Sequence, residues 1–267
     1  MPRLKNDPAL RIFNEVLGLE RLHYGLWLPE DEISMAGLKG AQERYEDFLF
    51  ENIPKSAKRI LDVGCGTGVM SAKLKALSYD IEGLSPDVNQ EELFTEKVKA
   101  PFHLCCFEEF SPSERFDCII MSESSQYIRL PSLFKVAASV LRDDGCLMIC
   151  DYFVLDGAKG ALSKSGHNCS EFMNEAKSNH FKILSDTNIT NQVTKTLDVA
   201  SFYADKFELG VDIYTEKFRN KHPHFTRLAL WIFKNKISSG RKQMELLDSK
   251  KFREYKTYNL ILFQPDR

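Results

Sequence analysis

Residues 61 to 68 read Leu61-Asp62-Val63-Gly64-Cys65-Gly66-Thr67-Gly68, three alternating glycines directly behind a short apolar run. Glycine reaches positive φ at no steric cost and lets backbone approach another group closely, so this cluster predicts a tight turn out of a buried strand. A helical pattern follows over residues 69–77, and its first N–H groups are then free behind the glycines. Strand, glycine-rich turn and helix in that order open a parallel α/β sheet, with a nucleotide-like ligand expected at the turn.

The chain beyond the turn repeats this alternation. Apolar runs at residues 59–63, 80–84, 102–106, 116–121 and 146–152 have strand length and turn residues at their ends. Helical patterns at 69–77 and 130–141 lie between them, and Asp143-Asp144-Gly145 is expected to turn the chain into the fifth strand. Ahead of the first strand, helices are expected over 9–22 and 35–51, joined by a loop that contains His23-Tyr24-Gly25-Leu26-Trp27. An amphipathic stretch at 169–179, a strand at 181–185 and a last strand at 255–263 complete the pattern. The last two strands are separated by about 65 residues of helical character rich in aromatics, among them Phe202, Tyr203, Phe207, Tyr214, Phe218, Phe225, Trp231 and Phe233. A long insertion at a sheet end is expected to be a lid or binding element.

Charge is uneven within a nearly neutral whole. The 36 Lys and Arg against 38 Asp and Glu exclude a molecule-wide basic field for gripping nucleic acid. From residue 215 to 256, however, 12 Lys or Arg face 4 Asp or Glu, a local balance of +8 that leaves the remainder near −10. That stretch is either a solvated helical surface or a face for an anionic partner, such as a phosphorylated substrate, an acidic carrier protein, a membrane surface or RNA. No apolar run reaches the roughly 18 residues of a membrane span, and residues 1–7 are polar, so a cytoplasmic protein is expected. Seven cysteines without metal-ligand spacing read as reduced core residues.

The glycine spacing bears on the ligand. A dinucleotide fingerprint would put glycine where Val69 stands, which disfavours a nicotinamide cofactor. An acid at position 62 suits a cationic, amine-bearing ligand better than a pyrophosphate. Asp62, Gly64, Gly66 and Gly68 match the D/E-x-G-x-G-x-G motif, and here the sequence resembles the class I S-adenosylmethionine-dependent methyltransferases over residues 22–153. The N-terminal loop resembles the cap of their small-molecule and lipid branches, including the cyclopropane fatty acid synthases and tocopherol methyltransferases.

That resemblance implies S-adenosylmethionine as cofactor and names residues to hold it. Gly64, Cys65 and Gly66 would pass under its methionine part, with Asp62 shaping the loop. Ser85 and Pro86 stand where the family usually has an acid for the ribose hydroxyls, with Asp87 or Glu82 as substitutes. Phe107 would lie against the adenine and Glu108 accept its amino group, while Tyr24 would set its ring beside the sulfonium. Ligands of open parallel sheets bind beyond the carboxyl ends of the strands, which brings in Ser122 with Glu123 and Tyr127 after the fourth strand and Asp151 after the fifth. Glu123, Tyr127 and Asp151 are the candidates for moving a proton or steadying a cation.

The expected architecture is a Rossmann-like, doubly wound, seven-stranded mixed sheet. Its parts are a helical cap over 1–57, a cofactor-binding core over 58–187, a helical lid over 188–254 and the last strand over 255–267. The expected activity is methyl transfer to a small or lipid-like acceptor, with no DNA partner and no bound metal. A nicotinamide-dependent oxidoreductase and a non-catalytic interaction module are the alternatives.

Overall fold

A computed structural model of the chain describes residues 18–222 and 244–266. Its centre is a seven-stranded sheet in the order β3-β2-β1-β4-β5-β7-β6. The strands are β1 (Arg59–Val63), β2 (Asp80–Leu84), β3 (Phe102–His103), β4 (Phe116–Ser122), β5 (Leu141–Val154), β6 (Phe181–Asn188) and β7 (Lys256–Pro265). β1 to β5 pair in parallel, and β7 inserts antiparallel between β5 and β6.

Both faces of the sheet are covered, which is why its inner strands are continuous apolar runs rather than alternating ones. Along β4, Cys118 and Ile120 point to one face, where they meet Tyr45 and Leu49 of α1 (Met35–Glu51) and Leu74 of α2 (Val69–Ala76). Ile119 and Met121 point to the other face, against Leu133 and Phe134 of the helix that follows β4. The chain runs from β2 into α3 (Val88–Val98), and from β4 into α4 (Leu130–Val140), which carries Leu133 and Phe134. Phe172 of α5 (Cys169–Ser178) joins that second core. Three of these helices start from a side-chain cap: Ser34 caps α1 by accepting from Gly37 N–H, Asp87 caps α3 at Asn89 and Gln90 N–H, and Asn168 caps α5 at Glu171 N–H.

The segment between β6 and β7 begins with α6 (Thr190–Val193) and α7 (Lys195–Lys221) and returns through α8 (Ser249–Tyr255). Among the described residues, the start of α7 is packed through Leu197 and Val199, whereas Phe207 and Tyr214 further along are exposed.

Four expectations differ from the structure. The helix expected over 9–22 falls mostly outside the described residues, and 18–22 are not helical. β3 stops at His103, because Cys105 N–H turns back onto His103 O and a single 3-10 turn follows at Phe107–Glu109. Asp143-Asp144-Gly145 does not precede the fifth strand but lies within it: the register moves from Phe116↔Leu141 to Cys118↔Cys146, so those residues form an extended bulge. α3 and its Asp87 cap were not anticipated, since its polar face dilutes the helical period. Among the described residues no helix is long and apolar enough to cross a membrane.

Candidate active site

A cavity of about 530 Å3 opens beyond the ends of β1, β2 and β4. Its floor is the glycine turn. Gly64 has φ +75°, and a Cβ there would come within 2.5 Å of Ser124 Cβ, so glycine is what lets the β1 turn touch the loop after β4. Gly66 has φ +57° and a different neighbourhood: its Cβ would meet nothing closer than Leu22 Cδ1 at 3.9 Å. Gly66 N–H donates to Gln90 Oε1 at 3.1 Å, and Leu22, Gly66 and Gln90 all line the cavity. Cys65 is buried beside them. Beneath the turn Asp62 accepts from Ser71 Oγ, and burial raises its carboxyl to about 6 against the opposing pull of Ser71 and His23.

The N-terminal loop forms one wall. Gly25 sits so close to α1 that a Cβ would fall 2.5 Å from Ala41 Cβ, so glycine here lets the loop backbone lie directly on that helix. Thr196 Oγ1 accepts from both Gly25 N–H and Trp27 Nε1–H, which ties the loop to the start of α7. Trp27 is buried among Leu38, Ala41 and Val199, away from the cavity. His23 and Tyr24 are left on the cavity side. His23 stacks on Tyr45 at 4.6 Å between ring centroids, and Tyr24 packs against Phe252 of α8 and Tyr258 of β7 at 6.0 and 5.6 Å. Arg21 Nε and Lys73 Nζ donate to the buried Glu46 carboxylate; burial opposes its charge, but these contacts and His23 hold its pKa at about 2.

Opposite lies Glu123, held with φ +55° in a backbone region that bulky residues seldom occupy. Its N–H donates to Cys150 O, and the next residues are pinned in turn: Ser124 Oγ donates to Val63 O, and Ser125 Oγ and Gln126 N–H to Asp151 Oδ2. Glu123 Oε1 accepts from Tyr24 N–H at 2.6 Å and from Tyr258 OH at 2.7 Å. Oε2 accepts no hydrogen bond among the described residues. Burial raises the carboxyl to about 7, with His23, Tyr258 and Tyr24 pulling it down and Asp151 pushing it up.

The remaining wall joins the ends of β2 and β3. Ser85 and Pro86 line it, as do Phe107 and Glu108. Asp87 also lines it, with Oδ1 accepting from Asn89 and Gln90 N–H. Glu82 does not stand in for a ribose acid: it lies outside the cavity, held by Arg59 and His103 at 2.6 Å each. Glu108 Oε1 accepts from Arg129 N–H at 3.1 Å.

All ten residues expected around a cofactor, from Tyr24 to Ser122, therefore border one cavity, together with Glu123 and the exposed Tyr127. Asp151 does not border it. Fully buried, it receives Ser125 Oγ, Gln126 N–H and Tyr152 N–H, and so organises the loop that carries Glu123. The aromatics of α7 do not border the cavity either, while Phe225, Trp231, Phe233 and most of the basic stretch lie outside the described residues. Sequence reasoning missed Arg21, Glu46 and Gln90. Gln90 had a signal in retrospect, three residues beyond a capping Asp in the helix that follows Ser85.

Comparison with known proteins decides what this cavity belongs to. A family described as a methyltransferase domain matches residues 38–196, more than half of the chain. The chain belongs to that family. Its sequence is 25% identical over 172 residues to a ubiquinone biosynthesis O-methyltransferase of Bradyrhizobium diazoefficiens, covering 58% of this chain and 67% of that one. Of another curated relative it spans only 20%. In fold it is similar to the geranyl diphosphate C-methyltransferase of Streptomyces coelicolor, solved with Mg2+, geranyl diphosphate and S-adenosyl-L-homocysteine, at TM-score 0.69 and 14% identity over 98% of this chain and 94% of that one. It is likewise similar to the cyclopropane synthase MmaA2 of Mycobacterium tuberculosis, at TM-score 0.67 and 17% identity over 97% and 94%.

The family's cofactor is S-adenosylmethionine, and the cavity fits it on its own terms. The volume is in the range of small-ligand sites. The open space above Gly66 admits a ligand against bare backbone. Among the described lining residues, six carboxylates face only Arg21 and His23 as basic groups, and Arg21 is itself paired with Glu43 and Glu46. Such a lining favours a sulfonium and an ammonium over a pyrophosphate, which sets the nicotinamide reading aside.

Proposed function

We propose that this methyltransferase-family chain transfers the methyl group of S-adenosylmethionine to a hydroxyl on a small or lipid-like acceptor, with Glu123 as general base. The observation that carries this is the Glu123 carboxylate on the cavity wall, one oxygen tied back by two donors and the other accepting no hydrogen bond from the described residues. A carboxyl poised at about 7 is half ionised near neutrality, where a base that must accept and then release a proton works best. The curated relatives named as ubiquinone biosynthesis O-methyltransferases favour oxygen as the atom methylated.

The sulfonium supplies an already activated methyl group, so the protein's share is alignment, exclusion of water and removal of one proton. Gly64, Cys65 and Gly66 would carry the methionine part, Ser85 and Pro86 the ribose side, and Phe107 with Glu108 the adenine side. Tyr24 would present its ring to the positive charge. Ser122 would complete the cofactor's surroundings, Tyr127 would border the acceptor, and Asp151 would act through the loop it holds. Under this proposal Thr196 of α7 and Phe252 of α8 brace the loop that carries Tyr24, Thr196 at Gly25 N–H and Phe252 against the Tyr24 ring. We assign the reaction to the cytoplasm, since all seven cysteines are free and suit a reducing compartment.

The test is S-adenosylhomocysteine release from S-adenosylmethionine with a panel of catechols, phenols, primary amines and allylic alkenes. Turnover of hydroxyl-bearing probes is expected, with kcat lowered about 100-fold or more in Glu123→Gln. Turnover of amines or alkenes alone, or a Gln variant as fast as the parent, would overturn the assignment.

A further inference from the structure

Behind the cavity wall lies a file of hydroxyls that no site residue named so far accounts for. Tyr45 of α1 and Tyr258 of β7 are both fully buried, and neither borders the cavity. Their hydroxyls are 3.0 Å apart; Tyr45 OH is also 3.0 Å from Ser122 Oγ, and Tyr258 OH is 2.7 Å from Glu123 Oε1. The file thus leaves the wall at Ser122 and returns to it at Glu123, bridging a helix and two strands.

Hydrogen counting gives the file a direction. An ionised carboxylate only accepts, so Tyr258 spends its single hydrogen on Glu123. The Tyr45–Tyr258 bond is then donated by Tyr45, which leaves Ser122 as the donor to Tyr45. The 3.5 Å approach of Tyr45 OH to Cys150 O is at the limit of a hydrogen bond and offers Tyr45 a weaker alternative. Burial raises both tyrosine hydroxyls well above their ordinary range, so they remain donors at any working pH.

We propose that Tyr258, backed by Tyr45 and Ser122, is a positioning residue for Glu123: it holds Oε1 against the wall and so leaves Oε2 as the oxygen that meets the acceptor. This rests on the reading of Glu123 as the base. Other groups face the same carboxyl: His23 and Tyr24 from the N-terminal loop, and Cys150, Asp151 and Tyr152 from β5. Of these, Tyr24 N–H also holds Oε1, whereas His23 acts only through its charge. A donor to the ionised form lowers a carboxyl's pKa, so removing the Tyr258 hydroxyl raises the pH at which Glu123 ionises.

The experiment needs no acceptor. Glutamate carboxyl carbons are labelled with 13C and followed by NMR across pH 5 to 9 in the full chain, and the Glu123 signal is identified by its loss in Glu123→Gln. In Tyr258→Phe the midpoint is expected to rise by about one pH unit, while S-adenosylhomocysteine binds within about twofold of the parent. Tyr45→Phe is expected to move it the same way by less, since it weakens the donor without removing it. A midpoint unmoved in Tyr258→Phe overturns the proposal; should that variant not fold, an unmoved midpoint in Tyr45→Phe does so. Failure of the base reading is separate: Glu123→Gln would then turn over hydroxyl probes like the parent, whatever the titrations give.

Discussion

Gly66 carries the strongest prediction at the scale of single residues, because its neighbours separate folding from binding. A side chain there strains the backbone at φ +57°, but its Cβ meets no atom beyond the neighbouring residues closer than 3.9 Å, and the position lines the cavity. Gly66→Val is expected to fold, with a melting point lowered by a few degrees, and to lose about 100-fold or more in affinity for S-adenosylhomocysteine. A folded Val variant that binds normally would show that the ligand does not lie over Gly66. The buried carboxyls yield a second prediction. Burial raises Asp62 to about 6 and Glu123 to about 7, and the sulfonium of S-adenosylmethionine favours their ionised forms. Binding it therefore releases protons, and its affinity relative to uncharged-sulfur S-adenosylhomocysteine rises as pH increases from 5 to 8. Calorimetry of both ligands at each pH checks this; a constant ratio would remove those carboxylates from the cofactor's surroundings.

Among the elements, the N-terminal loop depends on a part of the chain about 170 residues away. Thr196 Oγ1 accepts from Gly25 N–H and Trp27 Nε1–H, so Thr196→Val leaves two donors without that acceptor at nearly constant volume. A loss of about 1–3 kcal/mol in denaturant unfolding is expected, with weaker cofactor binding because Tyr24 and His23 ride on the same loop. Unchanged stability and binding would mean that α7 does not brace the loop. Elements whose signal is local were legible in the sequence: β1 and β2 begin and end where their apolar runs do, and α1 matches its helical period. The fifth strand was misjudged at its start because Asp143-Asp144-Gly145 has turn chemistry, yet the pairing of Phe116 with Leu141 carries the sheet past it. Tertiary pairing overrides local preference there.

For the molecule as a whole, the motif residues were readable because glycine and acid spacing is a local property; Asp62, Gly64 and Gly66 lie on the cavity, whereas Gly68 packs against Val98 and Phe94. What was unreadable depends on partners far apart in sequence: Glu46 meets Arg21 and His23 from the N-terminal loop and Lys73 from α2, and Tyr45 and Tyr258 are separated by more than 200 residues. No spacing rule places such groups together. The Glu46 cluster also has a consequence for the stability of the fold. Its folded pKa of about 2 lies below the ordinary carboxylate value, so the stability it adds is full above about pH 4.5 and is lost as pH falls towards 2. In Glu46→Gln, acid unfolding between those values is expected to flatten; an unaltered acid transition would mean that the cluster contributes nothing. The central claim is that the cavity holds the methyl donor. Its most direct test is calorimetric titration of the purified chain with S-adenosylhomocysteine, with NADH and the Gly66→Val variant in parallel. One-to-one binding of S-adenosylhomocysteine at micromolar concentration, absent with NADH and lost in the variant, is the predicted result; no binding, or binding of NADH instead, would contradict it.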